Sequence, residues 1–192
     1  MVRLLLPALL LLPSCQSGPE PSPGAPPVYQ TLHHPKFKGA FFQLEYDGEQ
    51  YLACSVHQAH LKPGEELTRE GATAAVTVGK RVYRQKDLHL WTFESPEVRP
   101  EDLLAYRPGI EVRLDDRVHF LNGGRAIAAT VVALPRGEQF RHTYRTDEPF
   151  AAAGLSGSPV YLSRTGTVIG VLQTANDRKK ATFGGFEVLD FR

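Results

Sequence analysis

The chain has 192 residues, of which 42% are hydrophobic and 22% are charged. This composition is typical of a globular protein with one domain or two small ones, and it excludes a chain that is disordered throughout. The 22 Lys and Arg residues against 21 Asp and Glu residues leave a formal net charge of +1, and no dense basic cluster stands out, so nucleic acid is disfavoured as a partner.

Residues 1–15, MVRLLLPALLLLPSC, have the pattern of an export signal, with Arg3 ahead of an apolar core that is too short to span a bilayer. The end of this segment resembles the lipobox of bacterial lipoproteins, although Pro13 stands where a small residue is usual. The resemblance implies that Cys15 is lipidated and holds the protein to the cell envelope. Gln16 favours the outer membrane if the cell has two. An ordinary secretory signal and an uncleaved anchor remain alternatives.

Residues 16–28, QSGPEPSPGAPPV, are rich in Pro, Ser and Gly and have almost nothing to bury. They predict an extended tether, after which the folded part begins near Tyr29. The chain has only two cysteines, and an acylated Cys15 leaves Cys54 without an intramolecular partner. No disulfide is therefore expected.

Beyond the tether, short apolar runs alternate with turns and predict an all-β fold with few, short helices. Hairpins are expected at Asp47-Gly48, around residues 122–124 and at Thr165-Gly166, because Asn, Asp and Gly tolerate the positive φ angles of tight turns. Further strands are predicted in AAVTVGKRVY, DLHLWTF, IEVRL and FGGFEVLDF. The prolines in SPEVRPEDLLAYRPG mark a linker between two halves, 29–105 and 106–192.

The segment GLSGSPVY, residues 154–161, places a serine among glycines just before an apolar run. A nucleophile elbow of the G-x-S-x-G type is excluded, because Ser158 replaces its last glycine and a strand follows instead of a helix. A nucleophilic serine needs a tight bend from which its hydroxyl projects while backbone N–H groups point at a developing oxyanion, and glycine permits the angles of such a bend. An ordinary turn serine is the alternative.

GLSGSP resembles the G-x-S-G-G-P signature of the trypsin-like, chymotrypsin-fold serine peptidases, in particular the compact bacterial type. A serine nucleophile also needs a histidine base and a carboxylate to orient it. His57 ends the run ACSVH, which is similar to the family's T-A-A-H strand end. Asp87 opens DLHLW, which is similar to D-[IL]-A-L-L. The order of the residues in the chain is that of the family.

The resemblance implies two antiparallel six-stranded β-barrels with the site in the cleft between them. His57 would be the general base, Asp87 the orienting carboxylate and Ser156 the nucleophile, with an oxyanion hole from the N–H groups of Gly154 and Ser156. His60 is a rival for the base. The expected function is a membrane-tethered serine endopeptidase that acts on proteins or peptides through an acyl-enzyme.

The resemblance also implies a pocket that selects the substrate residue before the scissile bond. Six residues are expected to line it: Phe150, Ala151, Ala152, Gln173, Thr174 and Ala175. Because none of them is acidic, a preference for small or medium neutral side chains is predicted.

Neither a cofactor nor a metal is expected. The four histidines at 33, 34, 57 and 60 are spaced like metal ligands, but no Cys-x-x-Cys, His-Glu-x-x-His or acidic cluster accompanies them. Cys54 is interpreted as a small buried residue rather than a reactive thiol. Because Ser158, Val56 and Cys54 depart from the family's pattern, a weak or inactive module that binds peptides or a partner protein is the alternative function. A structural β-rich lipoprotein with a chance triad is a third.

Overall fold

The computed structural model of the protein describes residues 25–55, 60–69, 74–137, 141–150, 154–177 and 182–189. In these ranges the chain forms twelve β-strands and one 3-10 helix, Pro100–Asp102, and the predicted all-β class is confirmed. No helix within the described ranges is long and apolar enough to cross a membrane. The strands are β1 Phe41–Tyr46, β2 Glu49–Ser55, β3 Glu66–Thr68, β4 Ala75–Gln85, β5 Leu88–Glu94, β6 Leu103–Ala105, β7 Arg117–Asn122, β8 Arg125–Ala133, β9 His142–Thr146, β10 Pro159–Leu162, β11 Thr167–Asp177 and β12 Thr182–Val188.

The first six strands form one sheet in the order β3-β4-β5-β2-β1-β6. Its pairs are antiparallel except for β6, which lies parallel to β1. Isolated bridges from Leu32 to Phe41 and from His33 to Thr68 connect β1 with β3, so the segment before β1 joins the two sides of the sheet. The β1–β2 hairpin turns at Asp47-Gly48, as predicted, with positive φ at both residues.

The last six strands close into a barrel in the order β10-β11-β12-β9-β8-β7. The hairpin predicted around residues 122–124 joins β7 to β8, and the one predicted at Thr165-Gly166 joins β10 to β11. A sheet closed on itself leaves no unpaired edge strand. The second half of the chain is therefore the more completely paired part of the structure.

The strand predicted in IEVRL is wrong: residues 110–114 lie outside the strands, and β7 begins only at Arg117. The alternation of apolar residues is real, because Ile110 and Val112 pack against the core of the second barrel. Asp116 prevents ladder pairing here, since its carboxylate accepts the Arg113 N–H at 2.8 Å and pairs with the Arg164 guanidinium at 2.9 Å. A side chain that bonds a nearby backbone N–H favours a turn over a strand.

The two halves share a hydrophobic core. One cluster joins Phe42 and Leu90 of the first sheet to Val171 and Leu189 of the second half. All four side chains are at most 3% exposed. Burial of such side chains contributes roughly 1.5–3 kcal/mol each. The junction of the halves is therefore a packed interface.

At Gly157 the backbones of the two halves come into direct contact. The Ala40 N–H donates to the Ser156 carbonyl at 2.8 Å, and a Cβ on Gly157 would overlap the Ala40 carbonyl oxygen. Gly157 also has a φ of +92°, which disfavours any residue with a side chain. Only glycine lets the segment after Ser156 lie against the segment before β1.

Replacing Gly157 with alanine is expected to lower the free energy of unfolding by at least about 2 kcal/mol, because the methyl group combines steric overlap with an unfavourable φ. Denaturant unfolding measures this change. Gly64→Ala is the matched control: its φ is +87°, but nothing lies within 4 Å of its added Cβ. Equal losses in the two variants would show that the contact with Ala40 contributes nothing.

Candidate active site

Asp87 lies in the turn between β4 and β5, and its side chain is 13% exposed. The Ser55 hydroxyl, at the end of β2, donates to Asp87 Oδ2 at 3.3 Å. The Arg141 guanidinium, just before β9, lies 3.6 Å from the same oxygen. The carboxylate therefore sits between the end of a first-sheet strand and a cation from the second half.

Glu187 on β12 is the second carboxyl group of this region and is 1% exposed. Its Oε2 accepts the backbone N–H of Asp87 at 3.3 Å, a contact between residues 100 positions apart. Burial raises the pKa of Glu187 to about 7, and the negative charge of Asp87 acts in the same direction. The Asp87 N–H, Lys86 and Arg141 lower the pKa and offset part of this shift. Glu187 therefore titrates near neutral pH.

Ser156 lies on a tight bend between Gly154 and Gly157, which have φ angles of +82° and +92°. The bend is closed by the Ser158 N–H, which donates to the Leu155 carbonyl at 3.0 Å, and is attached to β11 by the Gly157 N–H, which donates to Leu172 at 2.7 Å. The half-buried Ser156 hydroxyl donates to the Gln173 carbonyl at 3.0 Å. The serine is thus held at the point where the bend meets β11.

The N–H groups of Gly154 and Ser156 make no hydrogen bond with the described part of the chain. Leu155, between them, packs against the core of the second barrel. The side chain of Leu155 thus anchors the bend to the second barrel.

Gln173 connects the serine bend to the carboxyl groups. Its carbonyl accepts the Ser156 hydroxyl, and its buried side chain donates to Glu187 Oε2 at 3.3 Å and accepts from the Arg141 guanidinium at 3.3 Å. Since Glu187 and Arg141 both contact Asp87, the serine and the aspartate lie at one junction of the two halves. His57 itself lies outside the described residues. Ser55, two positions before it, contacts Asp87.

The residues expected to form the specificity pocket differ in their surroundings. Phe150 is half-buried against the second core, with its ring centroid 6.5 Å from that of Phe120. Thr174 is exposed, and its carbonyl accepts the Tyr144 hydroxyl at 3.0 Å; Ala175 is half-buried. The Gln173 side chain points into the polar contacts just described. Ala151 and Ala152 lie outside the described residues, as does the predicted lipidation site Cys15.

His60, the rival base, is exposed. His34 is buried, stacks on Phe37 with a centroid distance of 4.5 Å, and lies 3.9 Å from Glu65, so it has structural neighbours. In the described ranges no group of three or more His, Cys, Asp or Glu residues is arranged to hold a metal ion. Burial raises the pKa of the Cys54 thiol to about 12, which suppresses the reactive thiolate.

Arg141 and Glu187 were not predicted from the sequence. One weak signal in the sequence pointed to Glu187, which is a charged residue within the apolar strand FGGFEVLDF. Leu189, two positions later on the same face of the chain, is buried at the interface. A buried carboxylate in a strand requires compensating partners. Arg141 carried no such signal, since it lies at the end of a polar loop.

No protein-family model matches the chain, and no curated protein matches it. Solved structures do match. A human pathogenic astrovirus serine protease superposes with a TM-score of 0.58 at 19% sequence identity, covering 84% of this chain and 89% of the other. A glutamic acid-specific serine protease superposes with a TM-score of 0.58 at 10% sequence identity, covering 84% of this chain and 93% of the other. A Nocardiopsis protease superposes with a TM-score of 0.51 at 10% sequence identity, covering 84% of this chain and 93% of the other.

The matched structures are serine proteases, and they agree with this chain over more than four fifths of its length. Together with the closed second barrel and the first six-stranded sheet, they show that the protein has the chymotrypsin fold. The chain therefore has the architecture of a serine protease, at a sequence identity that is low throughout.

Glu187→Gln is expected to change how stability depends on pH. A carboxyl group whose pKa rises from 4.5 to about 7 on folding contributes stability below pH 4.5 and loses that contribution as the pH rises through about 7. Relative to the variant, the wild type should lose up to about 3 kcal/mol over this window. Denaturant unfolding from pH 4 to pH 8 measures the difference. Parallel curves for the two proteins would contradict a raised pKa.

Ser158→Ala is expected to leave stability unchanged or to raise it by up to about 1 kcal/mol. The Ser158 side chain is fully buried, and its hydroxyl has no hydrogen-bond partner in the part of the chain that the structure describes. Removing an unsatisfied hydroxyl avoids its desolvation penalty. A thermal melt measures the effect, and a clear loss of stability would mean that the hydroxyl is bonded.

Proposed function

We propose that the protein is a serine endopeptidase that hydrolyses peptide bonds with Ser156 as nucleophile, His57 as general base and Asp87 as the carboxylate that orients the base. The observation that carries the proposal is the junction of the two halves. The serine bend and the Asp87 turn come from different sheets, yet both contact the set formed by Gln173, Glu187 and Arg141.

In the proposed reaction, Asp87 accepts the Nδ1 hydrogen of His57, which leaves Nε2 to take the hydroxyl proton of Ser156 as the oxygen attacks the substrate carbonyl. The hydroxyl must first rotate away from the Gln173 carbonyl. The acyl-enzyme forms when His57 passes this proton to the leaving amine. Water, deprotonated by the same imidazole, then releases the acid.

The oxyanion of each tetrahedral intermediate would be bound by the N–H groups of Gly154 and Ser156. The positive φ angles around the bend and the absence of competing acceptors for these amides in the described chain support this role. Preorganised donors of this kind are worth roughly 3–4 kcal/mol each, so the shape of the bend matters as much as the side chains.

The substrates would be proteins or peptides. The six residues assigned to the specificity pocket, 150–152 and 173–175, include no carboxylate. This composition favours neutral side chains before the scissile bond. The lipid anchor at Cys15, and with it a place in the cell envelope, stays a prediction from the sequence.

A fluorophosphonate probe, which forms a covalent bond with an activated serine, tests the proposal. We expect labelling of the wild type and its loss in both Ser156→Ala and His57→Ala. Ser163→Ala is the matched control, because the Ser163 hydroxyl lies 3.1 Å from His119 Nδ1 and forms a serine–histidine pair within the described part of the chain. Well-folded wild type that is not labelled would favour the binding module, and labelling that depends on Ser163 would move the site.

Asp87→Asn is expected to lower kcat on a peptide ester by up to about 10⁴-fold, since an amide cannot hold the required tautomer of the base. KM should change little, because Asp87 does not bind substrate directly. Steady-state kinetics at pH 8 measure both constants. An active Asp87→Asn variant would remove Asp87 from the mechanism.

A further inference from the structure

Four residues at the junction close a ring of polar contacts. The Asp87 N–H donates to Glu187 Oε2 at 3.3 Å, and the Gln173 amide donates to the same oxygen at 3.3 Å. Gln173 Oε1 accepts from Arg141 Nη2 at 3.3 Å, and Arg141 Nη2 lies 3.6 Å from Asp87 Oδ2. The ring starts and ends at Asp87 and joins the first sheet to the second barrel.

The ring is buried where it is most polar. Glu187 and Gln173 are each 1% exposed, and the second carboxyl oxygen of Glu187, Oε1, has no hydrogen-bond partner in the described chain. A carboxyl group in such a place is unfavourable unless its contacts compensate, and an apolar residue of similar size is often as stable. Stability therefore gives no reason for a polar hydrogen-bond acceptor at position 187 in place of an apolar side chain.

The contacts of Glu187 act on the turn that carries Asp87. Its Oε2 holds the Asp87 backbone, and the ring brings the Arg141 guanidinium to the Asp87 carboxylate. A carboxylate orients an imidazole only if its own position is fixed by surrounding groups. The backbone of a turn, with Lys86 at a φ of +33°, does not supply this rigidity by itself.

We propose that Glu187 is a positioning residue for Asp87, acting through the ring with Gln173 and Arg141, and that it sets the rate of acylation of Ser156. The proposal rests on the proposed function and names a residue that the triad does not include. Glu187 touches neither substrate nor the reacting atoms.

Glutamine at position 187 is the conservative replacement. Both donors of the ring, the Asp87 N–H and the Gln173 amide, bond to one oxygen of Glu187. The carboxamide oxygen of glutamine can accept both bonds in that place, and its NH₂ group then occupies the position of Oε1. Alanine removes the acceptor and opens the ring.

Charge provides a second way to open the ring. Among the described residues, the charged and titratable groups around the two carboxyls include Lys86 in the Asp87 turn, Arg141 before β9, His89 on β5 and Cys54 on β2. The proposed base His57 would lie beside Asp87 as well. Arg141 is the cation that contacts Asp87 in the ring. Arg141→Gln leaves two neighbouring carboxyl groups without this cation. Adding Glu187→Gln removes one of the two negative charges and should restore part of the loss.

The test measures the second-order rate constant of fluorophosphonate labelling and the kcat and KM of ester hydrolysis, with the full chain. We expect Glu187→Gln to stay within about 3-fold of the wild type above pH 8, and Glu187→Ala to lose at least 10-fold in labelling rate and kcat with KM within 3-fold. Arg141→Gln should lose at least 5-fold in labelling rate and kcat. The double variant, Arg141→Gln with Glu187→Gln, should lose less than Arg141→Gln alone.

Leu162→Ala is the control for a general loss of stability, because Leu162 is fully buried in the second barrel and lies outside the site. It should destabilise the protein without slowing labelling of the folded fraction. If Glu187→Ala does not fold, the comparison of Arg141→Gln with the double variant Arg141→Gln and Glu187→Gln tests the role of Glu187 instead. Below pH 7 the activities of the wild type and of Glu187→Gln should converge, since the protonated Glu187 carboxyl is neutral like the carboxamide, and the two proteins differ in charge only at higher pH.

The outcomes separate the two proposals. Suppose that the wild type reacts with the probe. The role of Glu187 is then overturned, and the peptidase proposal left intact, if Glu187→Ala is labelled as fast as the wild type. The same conclusion follows if Arg141→Gln and the double variant lose the same amount of labelling rate. Wild type that does not react overturns the peptidase and the positioning role with it. A slow Glu187→Ala beside a wild-type-like Glu187→Gln supports both.

Discussion

The contact between the serine bend and the segment before β1 is the constraint on which the site depends. The Ala40 N–H bonds the Ser156 carbonyl, and Gly157 brings the two backbones so close that no side chain fits between them. The proposed nucleophile on one half and the proposed orienting carboxylate on the other can cooperate only if the halves have a fixed relative position. The shared cluster around Phe42 and Val171 supplies the area of this interface, and Gly157 supplies its closest approach.

The same interface contains buried polar groups beside its apolar core. Two carboxyl groups, Asp87 and Glu187, meet where water is largely excluded, with the Arg141 guanidinium beside them. Burial is the main cause of the raised pKa of Glu187, and the negative charge of Asp87 adds to it. A structure optimised for stability alone would replace such a cluster with apolar packing. Its presence beside the serine bend is the physical reason to assign it a role in the chemistry.

Much of the fold could be predicted from the sequence, because local rules govern it. Asp47-Gly48 turns a hairpin since these residues tolerate positive φ, and the alternating runs around it form strands. The prediction for IEVRL failed because apolar alternation does not reveal that the Asp116 carboxylate accepts the Arg113 N–H and also binds Arg164, which is 48 residues away.

The site was predictable only in part, for the same reason. The bend at Ser156 and the turn at Asp87 are local features that motifs can indicate. The ring around Glu187 depends on contacts over 14, 32 and 100 residues of sequence, so no short pattern records it. The side chain of Gln173 also differs from expectation: it lies among these polar groups, while its carbonyl meets the serine.

The central claim is that the two halves hold a serine, a base and a carboxylate around one reacting carbon. A crystal structure of the protein after reaction with a peptidyl phosphonate tests it most directly. We predict phosphorus bonded to Ser156 Oγ, a phosphonyl oxygen within hydrogen-bond distance of the Gly154 and Ser156 N–H groups, and His57 between Ser156 Oγ and Asp87. An adduct on another residue, or a phosphonyl oxygen turned away from the bend, would contradict it.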